Sequence, residues 1–508
     1  MQASGTINDF QKKACRETVY FVGIGGTGMA AVAGLLQEAG FHVLGSDAKM
    51  YPPMSTMLED LGISVLSPYS EENIAKNPAS VYVIANSLSR SHPEIEYILR
   101  NELPYTSFPA FLGDKFLQKK KSLVVCGTHG KTTTASLLTH LLTEMDEDPS
   151  FIIGGLPKNL GRSFHVGKGD FFVIEGDEYD TCFFDKESKF LHYNPCYTLF
   201  NNLEYDHADI FPSLESLESM FLKLFKLLPD PQNLIANISD PGVNKIIQKI
   251  EWEKYVFQTG SHTKDLFSAT EENRHIEVLS SAPCTSFPFL WQGQIKTSLW
   301  GTLPIRTRLP GPHNLANIAQ ALGCLTRLFQ NKELKSPTPS SKKIITMIED
   351  FEGVKRRFER LYSDKIFVYE DFAHHPTSVS YTVESIRTLH PHSRIIAAFE
   401  PRNATSRRNI FQHEYAKALQ KADISLLGEV PYDRRIPEEQ KMNLLNLTSE
   451  IGSHRAFSFD KNSALLEWLY QQTKPNDVVV FMSSGEFSGI QHQFVQHLEH
   501  LPPQSSPI

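Results

Sequence analysis

Paired cysteines are missing from this chain. Cys15, Cys126, Cys182, Cys196, Cys284 and Cys324 are scattered, with no C-x-x-C pair and no zinc-like spacing. That argues against a disulfide framework or a structural zinc module and predicts the reduced thiols of a cytoplasmic protein. Long apolar runs are missing too. No stretch approaches the length of a membrane span, and residues 1–7 lack the charged-then-apolar order of an export signal, so no membrane partner is expected. Charge of one sign is scarce: 50 Lys and Arg stand against 58 Asp and Glu, a net charge of -8. With the basic residues dispersed, a nucleic-acid partner is not expected, whereas a small anionic substrate remains compatible. There is no internal repeat. Low complexity is confined to residues 335–341, read as an exposed loop, and a polar tail at 504–508.

What is present is a succession of α/β units. A chain of 508 residues holds more than one core, and its length suggests about three domains. Residues 18–23 are a short apolar strand ending in Gly23-Ile24-Gly25-Gly26-Thr27-Gly28, and a helix with small and apolar residues at helical spacing follows from Met29. A second strand at 41–45 ends at Asp47, about where a dinucleotide fold carries an acid for a ribose. Residues 81–85 are the clearest later strand, and Lys119-Lys120-Lys121 reads as a solvated linker closing a first unit at 120. A second unit, 121–311, has strands at 123–126, 171–175 and 197–200 and an amphipathic helix at 214–228. It ends in a polar, β-rich excursion in which 287–291 and 298–300 resemble short strands. Leu309-Pro310-Gly311-Pro312 marks the next boundary. The third unit, 312–508, opens with a helix at 313–328 and has strands at 366–369, 394–399 and 477–482.

The chemistry concentrates in a few runs. After the strand at 123–126, Gly127-Thr128-His129-Gly130-Lys131-Thr132-Thr133 forms a glycine turn and restarts as a helix, so backbone N–H groups converge on one anion. Lys131 supplies a cation for the outer phosphates of ATP, and the Thr132 hydroxyl reaches a magnesium ion. Among Glu175, Asp177 and Glu178, strand alternation prevents all three from facing one metal, and Glu175 is the expected ligand. His207, beside Asp206, completes an expected set of Thr132, Glu175 and His207. In the third unit His313 and Asn317 lie one helical turn apart, with Asn314 beside Asn317; their amides suit an adenine edge, although Asn314 could instead cap the helix. Arg357 belongs to a basic run that also reads as a charged surface. Asp371, His374 and His375 gather in one turn after a strand, where a solvated or core role for all three is implausible. The first glycine turn (Gly23, Gly25, Gly26, Gly28, with Met29 and Asp47) favours a diphosphate ligand. A dehydrogenase lacks any hydride-transfer site later in the chain, and close packing is the bland alternative for the glycines.

These clusters, in this order, resemble the ATP-dependent Mur ligases of peptidoglycan assembly, from about residue 19 to residue 490. The resemblance implies a three-domain α/β architecture: a Rossmann-like domain for a UDP-sugar, a central P-loop-like domain for ATP and Mg2+, and a Rossmann-like third domain. It further implies catalytic roles for Lys131, Glu175, His207, Arg357 and Asp371, and ATP contacts from 127–133 with His313, Asn314 and Asn317. Gly23, Gly25, Gly26, Gly28, Met29, Asp47, His374 and His375 would serve the UDP-sugar. Within the family, residues 46–56, 177–186, 201–211 and Glu400-Pro401-Arg402 look like members that join the tripeptide L-alanyl-γ-D-glutamyl-meso-diaminopimelate to UDP-N-acetylmuramate in recycling. The alternative amino substrate is L-alanine, and a non-catalytic nucleotide sensor is the reading from another class. Some members carry a carbamylated lysine downstream of the metal histidine; Phe221 falls near that spacing, so none is assigned here.

Overall fold

The computed structural model describes residues 17–52, 54–252, 256–261, 275–284 and 288–500. Cys15, the opening residues and the 504–508 tail lie outside them. Among the described residues no helix is long and apolar enough to cross a membrane. Among the described residues three large sheets organise the chain, beside a two-stranded one of Asp180–Cys182 and Asp185–Ser188. The first is fully parallel, with Thr18–Val22 at its centre between His42–Ser46 and Val81–Ile84, and Ser64–Leu66 and Tyr105–Ser107 at the edges. Val19, Tyr20, Phe21 and Val22 are completely buried, as expected of a parallel strand covered on both faces. The helix Thr27–Glu38 follows the glycine turn and buries Met29 through Leu36.

The central sheet has ten strands, with Lys121–Cys126 between Pro195–Phe200 and Phe171–Glu175, all parallel. One flank is an antiparallel meander of His275–Pro283, Trp291–Thr297 and Gly301–Thr307, which accounts for the β-rich excursion. Residues 298–300 are the turn of its last hairpin instead of a strand. Residue 287 lies outside the described residues, and the strand expected there begins at Trp291. The third sheet runs Glu359–Ser363, Phe367–Asp371, Val478–Met482, Ile395–Phe399, Ile424–Leu427, Ala456–Ser458, parallel except for its first strand.

Two expectations need correction. The helix Pro312–Gln330 packs with the central sheet and not with the third. Leu315, Ile318, Leu322 and Leu325 are fully buried in one cluster with Leu123, Val125 and Leu199, so its apolar face belongs to the core of the central sheet. Lys120 is not solvated: its Nζ donates to the carbonyls of Gly167 (2.6 Å) and Gly169 (2.7 Å), and burial pushes it down to about 8. A Cβ on Gly167 or Gly169 would fall 2.0 or 1.8 Å from a carbonyl of Asp148 or Glu147, so the chain there runs too close for any side chain but leaves carbonyls for Lys120 to satisfy.

The first and central units share one apolar cluster, which includes Val32 and Leu36 from the first and Phe164 and Phe200 from the central. Gly34 lets the Thr27–Glu38 helix approach Phe164, whose ring would lie 2.3 Å from a Cβ there. Phe221 is buried against Phe190, Phe200 and Phe225, a packing role incompatible with a modified lysine.

Candidate active site

Because Lys121–Cys126 pairs in parallel with both neighbours, the carboxyl ends of three strands open together, at Gly127, Gly176 and Asn201. Parallel sheets bind ligands at that edge. Gly127 has φ +124° and Gly130 φ +77°, a left-handed region that favours glycine. Space demands glycine as well: a Cβ on Gly127 would fall 2.8 Å from the Asn202 carbonyl, and one on Gly130 2.7 Å from Asn317 Oδ1. The loop is steadied by Asn202, whose carbonyl accepts from Thr128 N (3.2 Å) and whose Oδ1 accepts from His129 N (2.7 Å). The helix Lys131–Glu144 begins immediately after Gly130, presenting its N-terminus to an anion.

Lys131 Nζ donates to the Gly127 carbonyl (2.7 Å) and to both oxygens of Glu178 (2.9 Å each). Glu178 Oε1 also faces His207 Nε2 at 2.9 Å. Burial opposes every charge in this group, but mutual attraction outweighs it: Lys131 and His207 hold Glu178 below its ordinary value, and Glu178 holds Lys131 and His207 above theirs. Thr132 Oγ1 donates to Glu175 Oε2 (2.8 Å), whose other oxygen accepts from Gly154 N (2.6 Å). Of the expected metal set, Thr132 and Glu175 therefore touch, while His207 joins Lys131 through Glu178. Strand alternation does not reach Glu178, because the strand ends at Glu175 and residues 176–178 are irregular. Asp177 leaves the site to pair with Lys189 (2.6 Å).

The third unit closes over this edge. Arg357 Nη2 reaches Thr132 Oγ1 at 3.3 Å and its guanidinium lies 4.4 Å from the Phe372 ring centroid. Asp371 is consumed by positioning: Oδ2 accepts from Phe358 N (2.6 Å), and Oδ1 accepts from Ala373 N (2.8 Å) and Thr382 Oγ1 (3.1 Å). Burial raises its carboxyl despite the nearby Arg357 charge. His374 Nε2 lies 3.8 Å from Asp206 Oδ2, and His375 Nδ1 lies 3.2 Å from Glu204 Oε2. Asp206 is almost fully buried; burial opposes its charge, yet His374 and His207 hold it well below the ordinary carboxylate range. Both imidazoles thus gather around acids of the central unit. Proximity in sequence to Asp371 carried no sign of partners some 170 positions away.

A cleft of about 510 Å³ is lined by His129, Gly130, His313, Asn317, Arg357 and Asp371, among others. His313 stacks on Tyr381, centroids 5.2 Å apart, and burial pushes it down to about 4. Asn314 does not cap its helix: Nδ2 donates to the Pro310 carbonyl (2.6 Å), and Oδ1 accepts from Asn317 Nδ2 (3.0 Å). The expected UDP-sugar turn stands in the first sheet, where Gly25 N donates to Asp47 Oδ2 (2.8 Å). A Cβ on Gly25 would fall 2.9 Å from that oxygen.

Three successive stretches match Mur ligase domains: residues 18–120 the family's catalytic domain, 125–325 its middle domain and 356–485 its glutamate ligase domain. The chain belongs to the Mur ligase family. As a Mur ligase it is an ATP-dependent, ADP-forming enzyme that makes a C–N bond. The middle-domain match runs through most of the Pro312–Gln330 helix, in keeping with where that helix packs. The chain is 32% identical to the UDP-N-acetylmuramate–L-alanyl-γ-D-glutamyl-meso-2,6-diaminoheptandioate ligase of Escherichia coli, covering 94% of this chain and 98% of that one. It is 30% identical to the Haemophilus influenzae ligase of the same name, over 95% and 99%. A UDP-N-acetylmuramate–L-alanine ligase of Clostridium tetani is 27% identical over 92% and 95%. Among solved structures, the murein peptide ligase of Psychrobacter arcticus superposes with a TM-score of 0.68 at 27% identity, covering 96% and 100%. The UDP-N-acetylmuramate–alanine ligase of Thermotoga maritima superposes at 0.74 over 95% and 99%, and at 22% identity shares the fold.

Proposed function

We propose that this Mur ligase joins L-alanyl-γ-D-glutamyl-meso-diaminopimelate to UDP-N-acetylmuramate in the cytoplasm, as a recycling step. The observation that carries this reading is the full-length 30–32% identity to two ligases bearing that substrate in their names. The muramyl carboxylate attacks the γ-phosphorus of ATP, forming an acyl phosphate and releasing ADP. The amine of the peptide then attacks the acyl carbon, the amide C–N bond forms, inorganic phosphate departs and the amine gives up a proton.

A carboxylate and a triphosphate repel each other, so the site must offset negative charge before they meet. Lys131, now held by Glu178, is the cation for the outer phosphates, with the Gly127–Gly130 amides and the helix N-terminus behind it. Arg357, bridging from the third unit to Thr132, adds a second cation. Thr132, Glu175 and His207 would hold magnesium. A hydroxyl, a carboxylate and an imidazole suit an ion that also takes phosphate oxygens, and the buried Nδ1 of His207 has no hydrogen-bond partner among the described residues. His207 also sits at φ +57°, a strained non-glycine conformation of the kind that persists at binding sites. When bound, that ion supplies positive charge to the phosphate oxygens. Asn317, against Gly130, and the His313–Tyr381 stack would frame the adenine.

His374 is the group we assign to the amine proton. Its Nδ1 donates to the Phe372 carbonyl (3.0 Å), which turns Nε2 toward Asp206 and makes Nε2 the nitrogen that exchanges the proton. Asp206 would stabilise the imidazolium formed there. The deciding experiment is ATP-dependent phosphate release with UDP-N-acetylmuramate and either the tripeptide or L-alanine, with mass spectrometry of the product. A UDP-muramyl-tripeptide is expected. A product with L-alanine alone would move the enzyme to the first-step ligases, and phosphate release with neither would sink the ligase assignment.

A further inference from the structure

Three ligating side chains that the proposed chemistry does not use come together at the mouth of the cleft. His129 is in the phosphate loop, Glu204 follows the strand Pro195–Phe200, and His375 precedes the helix Pro376–Leu389 of the third unit. One donor atom from each lies within 4.8 Å of the others. His129 Nε2 stands 3.0 Å and His375 Nδ1 3.2 Å from the same oxygen, Glu204 Oε2. A tetrahedral centre with metal–nitrogen bonds of about 2.0–2.1 Å separates its donors by about 3.4 Å, so these atoms need little movement to accept an ion.

The surrounding hydrogen bonds select the forms that a metal requires. His375 Nε2 is 3.3 Å from the Tyr205 carbonyl, an acceptor only, so Nε2 carries the hydrogen. Its Nδ1 is then a bare lone pair facing a carboxylate, and it is buried with no hydrogen-bond partner among the described residues. Two acceptors facing each other at 3.2 Å repel unless a proton or a cation lies between them. His129 Nδ1 is 3.3 Å from Ser378 Oγ, so its Nε2 can equally be left free. The Glu204 backbone is pinned to the phosphate loop, where Thr128 Oγ1 accepts from Glu204 N (2.9 Å) and donates to Glu204 O (3.1 Å). Partners of this kind orient metal ligands.

We propose that His129, Glu204 and His375 form a second metal site, specific for a borderline transition ion of the zinc class, that latches the phosphate loop to the third unit. Two imidazoles and a carboxylate favour zinc, cobalt or nickel over magnesium. The fourth position faces the cleft, which His129, Glu204 and Ser378 line, and is open to water or a ligand oxygen. Because His129 and His375 belong to different units, an occupied site resists their separation and slows nucleotide exchange.

The test is titration of the full chain with Zn2+, and separately Co2+, in excess magnesium, which occupies the Thr132, Glu175 and His207 set. One equivalent is expected, with the intense visible absorption of four-coordinate Co2+. His375→Gln and Glu204→Gln, one from each unit, should each weaken binding about a hundredfold or more and abolish the band. His207→Asn should keep both, which separates this site from the magnesium set. No equivalent in the wild type, or unchanged affinity in either folded ligand variant, would overturn the proposal. The readout requires no ligase turnover and stands or falls independently of the peptide substrate.

Discussion

Lys131, which we propose holds phosphate charge during turnover, also neutralises Glu178 in the resting site. Lys131→Ala should lower kcat by about a thousandfold or more while leaving the circular dichroism spectrum native, and should also lower the melting temperature because Glu178, only 1% exposed, keeps His207 alone. Retained ligation at a normal rate would remove Lys131 from the phosphate site. The same group sets a pH dependence of stability. Burial disfavours the His207 charge, but Glu178 outweighs it and raises His207 above 6.5. A raised histidine contributes fully below its unfolded value and loses that contribution as pH rises through the raised native value. Melting temperature should therefore decline as pH rises above 6.5, and His207→Gln should flatten that decline. Glu178 is lowered from 4.5, so its contribution is present above 4.5 and disappears as pH falls through the lower native value. A melting curve flat on the alkaline side in the wild type would show that the pair contributes nothing.

Helices and turns add constraints that single charges do not. Alanine in a helix interior ordinarily gains about 1 kcal/mol over glycine. At Gly34 the added methyl meets the Phe164 ring at 2.3 Å, and overpacking of this kind costs about 1–3 kcal/mol. The contact joins the first unit to the central one, so the loss should exceed the helical gain. Gly34→Ala should lower the urea midpoint, and a raised midpoint would mean that Phe164 swings away freely. Gly130→Ala acts differently, since it combines φ +77° with a methyl 2.7 Å from Asn317 Oδ1. It should raise the KM for ATP at least tenfold and also lower the melting temperature, because the turn is strained and the displaced atoms line the cleft.

Across the whole molecule, the central and third units meet at the catalytic edge through Arg357 and Thr132, His129 and Ser378, and Ala208 and Thr405. The chain crosses between them where Gly353, Arg356 and Phe358 all have positive φ, at +84°, +59° and +51°. This is the expected hinge. ATP with UDP-N-acetylmuramate should slow hydrogen exchange at 127–133 and at 355–358 and 372–378 together. Protection confined to 127–133 would mean that the third unit does not close on the nucleotide.

Much of this organisation is legible in local residues. The strands at 18–22, 121–126, 171–175 and 395–399 are apolar because both faces of a parallel sheet are covered, and Gly127 and Gly130 announce a turn that no side chain fits. Sheet periodicity and turn stereochemistry are properties of a few neighbouring residues, so the α/β class and the glycine turn at 127–130 follow from them. Pairings between distant residues do not. That Glu178 meets both Lys131 and His207, that His374 and His375 settle on Asp206 and Glu204, and that the Pro312–Gln330 helix joins the central core all depend on which strands lie side by side. Local spacing carries no information about that order. Burial chooses the partner of a helix face, and a buried charge settles against whichever opposite charge the sheet delivers within hydrogen-bonding reach.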